Sequence, residues 1–143
     1  MKFRCQASCG GKCCSAKWDG KASFVFLTWR DRKNLVNFLG KKLEEFASFG
    51  EFAFTRFINR PSRQWFLNNT EKTCPFLKEG KCSVYEARPT QCRTFPFWPE
   101  LMVNEPYKTL KEFCPGVGEG EETTHFLLSE QIKADKELCN RAI

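Results

Sequence analysis

The chain is poor in histidine and has no long apolar run, and each absence narrows the functions open to it. Among its 143 residues only His125 is a histidine. A Cys–His nucleophile pair, or a metal site of three thiolates and one imidazole, would have to use this residue. Its setting in Thr-Thr-His-Phe-Leu-Leu favours a surface position instead. No run of about eighteen apolar residues exists, so we expect no membrane-spanning helix.

We also expect no export signal. The first residues read Met-Lys-Phe-Arg-Cys, without the apolar stretch that a secretory signal carries behind its basic start. We therefore expect a cytoplasmic protein, in a compartment where thiols stay reduced.

Cysteine, in contrast, is abundant. The nine cysteines are far above ordinary usage, and an odd number cannot all pair in disulfides within one chain. Since there is also no sign of export, a disulfide framework is disfavoured. Reduced thiolates are soft ligands that suit zinc and iron–sulfur clusters. The sequence therefore predicts a cysteine-ligated metal-binding protein.

The formal net charge of +6 is weak support for a nucleic-acid partner. If roughly eight thiolates bound two divalent ions, the net charge would fall to about +2, because each ligating thiol loses its proton. We expect a metal ion as the partner of this chain, with no membrane and no nucleic acid. The sequence leaves a protein partner open.

The cysteines fall into two blocks of four and a tail. Cys5, Cys9, Cys13 and Cys14 form the first block. Close spacings of this kind let one loop offer two sulfurs to one ion, and Gly10-Gly11 permits the turns that such a loop needs. Because Cys13 and Cys14 are neighbours whose side chains diverge, we expect one of them at a second centre or in a structural role.

The second block follows a long cysteine-free stretch and contains Cys74, Cys82, Cys92 and Cys114. On spacing alone, these four fit metal ligands and buried thiols equally well. Their gaps are too wide for self-contained metal loops. We therefore predict that at least one cysteine of the first block shares a centre with the second block.

Between the blocks the sequence is typical of an ordinary scaffold. Residues 23–27, Ser-Phe-Val-Phe-Leu, predict a buried strand. Residues 28–31, Thr-Trp-Arg-Asp, have the form of a capping box and predict a helix that ends at Gly40. The apolar spacing over 43–50 predicts a second short helix, and residues 52–58 and 64–67 predict the two sides of a hairpin.

Beyond Cys74 the sequence becomes irregular, because six of the seven prolines interrupt regular elements there. Residues 116–122 predict a turn or loop, and residues 130–138 predict an exposed C-terminal helix. We expect one domain over residues 1–143, a small helix-rich α+β fold whose irregular C-terminal half is stapled by metal.

Several of these segments resemble one known family. Three segments are similar to the YkgJ-type cysteine-cluster family. They are Phe3-Arg4-Cys5, the run from Cys74-Pro75-Phe76-Leu77 through Gly80-Lys81-Cys82-Ser83-Val84-Tyr85-Glu86-Ala87-Arg88-Pro89-Thr90-Gln91-Cys92 to Pro99, and Cys114-Pro115-Gly116-Val117-Gly118. Members carry a CxxCxxCC signature and are regarded as zinc- or iron-chelating domains. The present chain departs from that signature, since both gaps in its first block hold three residues.

The resemblance implies that the second block supplies ligands as well. The candidate metal ligands are then Cys5, Cys9, Cys13, Cys14, Cys74, Cys82, Cys92 and Cys114. Two zinc sites would use all eight sulfurs, whereas one [4Fe–4S] cluster would use four. Cys139 has no place in the pattern, and we expect it to face inward from the last helix.

The family also includes flagellin lysine-N-methylase, which resembles an iron–sulfur protein that uses S-adenosylmethionine. This relative implies an alternative function, an iron–sulfur cluster protein with redox or methyltransferase-related activity. The present chain is much shorter and matches it only in the cysteine cluster, so a binding protein is expected rather than an enzyme. A zinc-stabilised interaction module is the third possibility.

Two further features flank Cys92. Arg88 and Arg93 are placed to donate hydrogen bonds to thiolates or to offset their charge, and ordinary surface ion pairs are the alternative. Residues 95–99, Phe-Pro-Phe-Trp-Pro, fit either an exposed docking strip or a lid packed over the metal centre, and we expect the packed lid.

Overall fold

The first long helix begins where the capping box predicts. In the computed structural model, which describes residues 2–5, 17–18, 21–22, 24–68, 74–104, 111–112 and 114–141, helix α1 covers Trp29–Leu39. The Thr28 hydroxyl accepts from the Asp31 amide and the Asp31 carboxylate accepts from the Thr28 amide, both at 3.1 Å. Gly40, at φ 63°, ends the helix, and its amide donates to the Val36 carbonyl at 2.9 Å. Both predicted boundaries are confirmed.

The predicted second helix over 43–50 is wrong. Only a 3-10 turn forms over Leu43–Glu45, and strand β4 then covers Ala47–Phe52. Strand β4 pairs antiparallel with β5, Ser62–Leu67, along its whole length. The apolar spacing serves cross-strand packing instead, since the Phe49 and Trp65 rings lie opposite each other with centroids 5.4 Å apart. The hairpin is real, but its first strand begins earlier than the predicted 52–58.

Residues 24–27 lie along the free side of β5 and extend the hairpin. The Leu27 amide donates to the Trp65 carbonyl at 2.9 Å, and the Leu67 amide donates to the Val25 carbonyl at 3.1 Å. Phe26 and Leu27 are buried. The predicted buried strand therefore exists as a short extended segment; Ser23 lies outside the described residues.

From Cys74 onward, in the second half of the chain, the elements before α4 are short, as the prolines predict. In chain order they are β6 (Leu77–Lys78), β7 (Lys81–Cys82), a 3-10 turn (Tyr85–Ala87), α2 (Thr90–Thr94), α3 (Pro99–Asn104) and β8 (Glu121–Glu122), followed by the longer helix α4 (Thr124–Cys139). Among the described residues, three further strand pairs of two residues each form: β6 with β7, β8 with β1 (Lys2–Phe3), and β2 (Lys17–Trp18) with β3 (Lys21–Ala22).

Two predictions in this half need correction. Helix α4 begins before the predicted 130–138, and it is not simply exposed: Leu127, Gln131, Ala134 and Leu138 are buried along one side, and the helix packs against α2. The predicted loop over 116–122 ends in strand β8 because its last two residues pair with the N-terminal strand.

Two hydrophobic cores support these elements. The first joins the scaffold to the second cysteine block and contains Leu27, Leu35, Phe46, Ala47, Leu67, Cys74, Phe76 and Val84. The second lies wholly in the second half and contains Phe95, Phe97, Leu101, Val117 and Leu127. The mixture of helices with small antiparallel sheets agrees with the expected α+β class. Within the described ranges, every helix is too short or too polar to cross a bilayer.

Asp31 connects the scaffold to the second half, so its substitution should be costly. This residue is 4% exposed and accepts from the Thr90 amide at 3.0 Å and the Thr90 hydroxyl at 2.9 Å, besides capping α1. Because Asp31→Ala leaves buried donors without acceptors, we expect it to lower the free energy of unfolding by about 2–4 kcal/mol.

Glu45→Ala is the matched control, since Glu45 accepts from the Lys42 amide at 2.8 Å in an exposed contact at the start of the 3-10 turn. Its cost should stay below about 1 kcal/mol in the same urea titration. Equal losses for the two variants would contradict the bridging role of Asp31.

Candidate metal centre

The N-terminal strand carries the first cysteine to the turn that follows the last candidate ligand. The Arg4 amide donates to the Gly116 carbonyl at 3.0 Å, and the Gly118 amide donates to the Lys2 carbonyl at 2.8 Å. The turn itself is closed by the Val117 amide, which donates to the Cys114 carbonyl at 3.0 Å. Cys5, the residue after this pairing, therefore lies next to the turn at Cys114.

Glycine is required for this close approach. A Cβ atom on Gly116 would lie 2.0 Å from the Arg4 carbonyl oxygen, and one on Gly120 would lie 2.7 Å from the Phe3 carbonyl oxygen. No side chain fits at either distance without moving the backbone. These two glycines thus allow β1 to lie against the turn and bring Cys5 with it.

The Phe3 side chain packs β1 against the second core. Its ring meets the ring of Phe97 edge-on, with centroids 5.3 Å apart, and Phe97 is fully buried in the second core. Phe95 and Pro96 are buried beside it. The segment 95–99 is therefore packed against the second core and is not an exposed docking strip. Its expected role as a lid over a metal centre stays a prediction.

Tyr85 feels one cysteine of each block. The Cys5 thiol lies close to the Tyr85 hydroxyl, and the Cys82 thiol also acts on it electrostatically. Partial burial is the main cause that raises the pKa of Tyr85. The Arg88 guanidinium opposes this rise, while Cys5 and Cys82 add to it. A residue of the first block and a residue of the second thus share one neighbour.

Arg88 and Arg93 have different surroundings. The Arg88 guanidinium carbon lies 3.9 Å from the Tyr85 ring centroid, and its Nε donates to the Tyr85 carbonyl at 2.9 Å. Arg88 is therefore held against Tyr85, and its predicted role in offsetting thiolate charge stays a prediction. Arg93 lies 3.7 Å from a Glu130 carboxylate oxygen. This contact is an ordinary ion pair, which was the alternative to a role beside the thiolates.

Cys82 lies at the end of a tight hairpin, and Cys74 lies in the turn that leads into it, where the Leu77 amide donates to the Cys74 carbonyl at 3.2 Å. The tip between β6 and β7 contains Glu79 and Gly80, both at positive φ, and Leu77 pairs with Cys82 across it. The Phe76 amide donates to the Cys74 sulfur at 3.5 Å. Both thiols lie against the first core. An amide directed at a sulfur stabilises a thiolate, which is the ligating form.

The other predicted positions are more scattered. Cys92 lies on α2, Cys114 packs against the second core, and the Cys139 thiol points inward to the Phe57 carbonyl at 3.5 Å, as expected. His125 is exposed on α4, which agrees with a surface role. Cys9, Cys13 and Cys14 lie outside the described residues.

Among the side chains that the structure describes, no three of histidine, cysteine, aspartate and glutamate gather closely enough to hold one metal ion. The described part does bring Cys5 next to the turn at Cys114, and Cys74 and Cys82 to one core. The donors are all sulfur, and soft thiolate sets fit zinc and iron. A complete set of four around these residues needs cysteines outside the described ranges or a closer approach of those within them.

Sequence reasoning missed Tyr85. Tyr85 comes three residues before Arg88 in the sequence. This spacing of about one helical turn was the available signal that the two side chains could stack. Its contact with Cys5 joins residues far apart in the chain, which no local pattern reveals.

Comparison with known proteins gives one family. The family model for CxxCxxCC, described as "Putative zinc- or iron-chelating domain", matches residues 4–115. The matched region includes all eight candidate ligands. No solved structure matches the chain.

The contact between Cys5 and Tyr85 predicts a shift in the titration of the phenol. A thiolate beside a phenol disfavours the phenolate, so Cys5→Ser should lower the pKa of Tyr85 in metal-free, reduced protein. The measurement is an absorbance titration at 295 nm, with Tyr85→Phe subtracted to isolate this residue from Tyr107. Cys139→Ser is the control and should leave the titration unchanged. An unaltered Tyr85 pKa in Cys5→Ser would contradict the placement of Cys5.

Proposed function

The chain belongs to the CxxCxxCC family, and from this premise we propose that it is a thiolate-ligated metal-binding protein that holds zinc or iron. The proposed ligands are Cys5, Cys9, Cys13 and Cys14 from the first block, and Cys74, Cys82, Cys92 and Cys114 from the second. We propose further that residues 1–143 form one unit, and that the metal is needed to hold its irregular second half together.

One observation carries the proposal: the hydrogen bonds of β1 bring Cys5, from the first block, next to the turn that carries Cys114, from the second block. A first-block loop that starts at Cys5 would therefore begin beside a ligand of the second block. This convergence supports a centre shared between the blocks.

The surroundings also suit an anionic centre. A site of four thiolates around a divalent ion carries a net charge of −2, and the guanidinium of Arg88 lies beside Tyr85 to offset it. Metal binding at such a site releases protons from the thiols, so acid should release the metal. The first consequence of binding is structural, because most elements of the second half are too short to persist alone.

Zinc and an iron–sulfur cluster are separated by a simple measurement. Zinc thiolates are colourless, whereas clusters absorb visible light. We expect anaerobically purified protein to contain stoichiometric zinc or iron by elemental analysis. A visible spectrum with acid-labile sulfide would select the cluster. Protein with neither metal would overturn the proposal.

Removing the metal should loosen particular segments. With chelator or at acid pH, we expect residues 74–87 and 114–118 to lose amide protection before α1 does. Their regular elements are two or three residues long, whereas α1 is capped and packed in the first core. Hydrogen exchange with and without chelator measures this directly. Uniform loss of protection, or no change in these segments, would show that metal does not hold them.

Replacing one proposed ligand should cost more than replacing a cysteine outside the set. We expect Cys92→Ser to lower the melting temperature of the metal-loaded protein by about 5 °C or more beyond Cys139→Ser, because it forfeits part of the metal's contribution to folding. The difference should shrink once both variants are stripped by chelator. Equal losses in the loaded state would remove Cys92 from the ligand set.

A further inference from the structure

Helix α2, which carries Cys92, does not hold itself in place. It covers only Thr90–Thr94, and a helix of this length has no stability of its own in water. Whatever fixes the position of Cys92 must therefore come from the groups that hold this helix. The structure shows three sets of hydrogen bonds that do so: those of the Gln91 side chain, those of Asp31 to Thr90, and those that link Thr94 to α4.

Gln91 ties the helix to the scaffold strand beside β5. Its side chain is 4% exposed; Nε2 donates to the Phe24 carbonyl at 2.8 Å, and Oε1 accepts from the Phe26 amide at 3.1 Å. Val25 and Leu27 use the opposite edge of the same segment to pair with β5. The Gln91 amide thus occupies the position that a further strand would take.

Asp31 holds the start of the helix. Its Oδ1 accepts from both the amide and the hydroxyl of Thr90, at 3.0 and 2.9 Å, while Oδ2 accepts from the Thr28 amide. One buried carboxylate therefore caps α1 and fixes the first residue of α2. The two helices cannot shift relative to each other without breaking these bonds.

The far end of α2 is held by α4. The Thr94 hydroxyl is 2.6 Å from Gln131 Oε1, and Gln131 Nε2 donates to Asp135 Oδ1 at 2.8 Å. Arg56 lies 2.9 Å from the same carboxylate oxygen and stacks over the ring of Trp98. The Trp98 indole returns to α2 by donating to the Gln91 carbonyl at 3.0 Å. The helix is bound at its first, second and last residues.

We infer that Gln91 and Asp31 are positioning residues for Cys92, which hold α2 in its ligating orientation before any metal binds. The inference rests on the proposed function and specifies how part of the centre is built. A ligand that is already ordered binds metal without an ordering cost. Partners that orient a ligand typically change metal affinity when they are lost.

The test compares two buried glutamines. Gln91→Leu removes the two bonds that tie α2 to the backbone at Phe24 and Phe26. Gln64→Leu is the matched control, because Gln64 is fully buried and donates to the Leu138 carbonyl at 2.9 Å, on β5 rather than on α2. Full-length, reduced protein is titrated anaerobically with Zn²⁺ alone, and in parallel with Fe²⁺ alone, against a chromophoric chelator. Unfolding is measured on the same samples.

We expect Gln91→Leu to bind the metal about ten- to a hundredfold more weakly than wild type at unchanged stoichiometry. Gln64→Leu should keep wild-type affinity even where its melting temperature falls as far. If Gln91→Leu does not fold, Thr90→Val replaces it, since it removes only the hydroxyl bond to Asp31 and should still weaken binding several-fold. If Gln91→Leu binds the metal as tightly as Gln64→Leu does, the inference is wrong and the proposed function stands. If the wild-type protein binds neither metal, both the inference and the proposed function are wrong.

Discussion

The second half of this protein depends on side chains that satisfy buried backbone groups. Apart from α4, its helices and strands are too short to do so among themselves, and unpaired buried amides and carbonyls are costly. Gln91 bonds the backbone at Phe24 and Phe26, and Asp31 bonds the amides at Thr28 and Thr90. These few polar residues, buried against two apolar cores, let a proline-rich segment keep a defined shape beside an ordinary helix and hairpin.

A second constraint brings Cys5 close to the turn that carries Cys114. Closing a long loop carries an entropic cost that grows only slowly with length, by about 0.6 kcal/mol for each doubling. The pairing of β1 with the turn after Cys114 meets part of this cost, and it is possible only because Gly116 lacks a side chain. Metal bound between the blocks would then add to a convergence that backbone hydrogen bonds already favour.

Local signals in the sequence predicted local structure well. The capping box of Thr28 and Asp31, and the end of α1 at Gly40, depend on residues within one turn of each other. The predicted helix over 43–50 failed because strand β5, more than ten residues away, offers a better partner for the same apolar side chains. For the same reason helix α4 was predicted as exposed: its buried side is defined by α2, which the local pattern does not contain.

The candidate site was likewise predicted where it depends on local sequence and missed where it depends on distant segments. Cysteine content and spacing predicted thiolate chemistry, and the family match supports metal chelation by this domain. The contact of Cys5 with Tyr85 and the bonds that hold Cys92 join residues from separate segments, so the sequence could not reveal them.

X-ray absorption spectroscopy at the metal edge of anaerobically purified protein tests the central claim most directly. A metal held by these cysteines should be zinc or iron with a nearest shell of sulfur alone, at about 2.3 Å. A nearest shell of nitrogen or oxygen, or protein that carries no metal, would contradict a thiolate centre built from the two cysteine blocks.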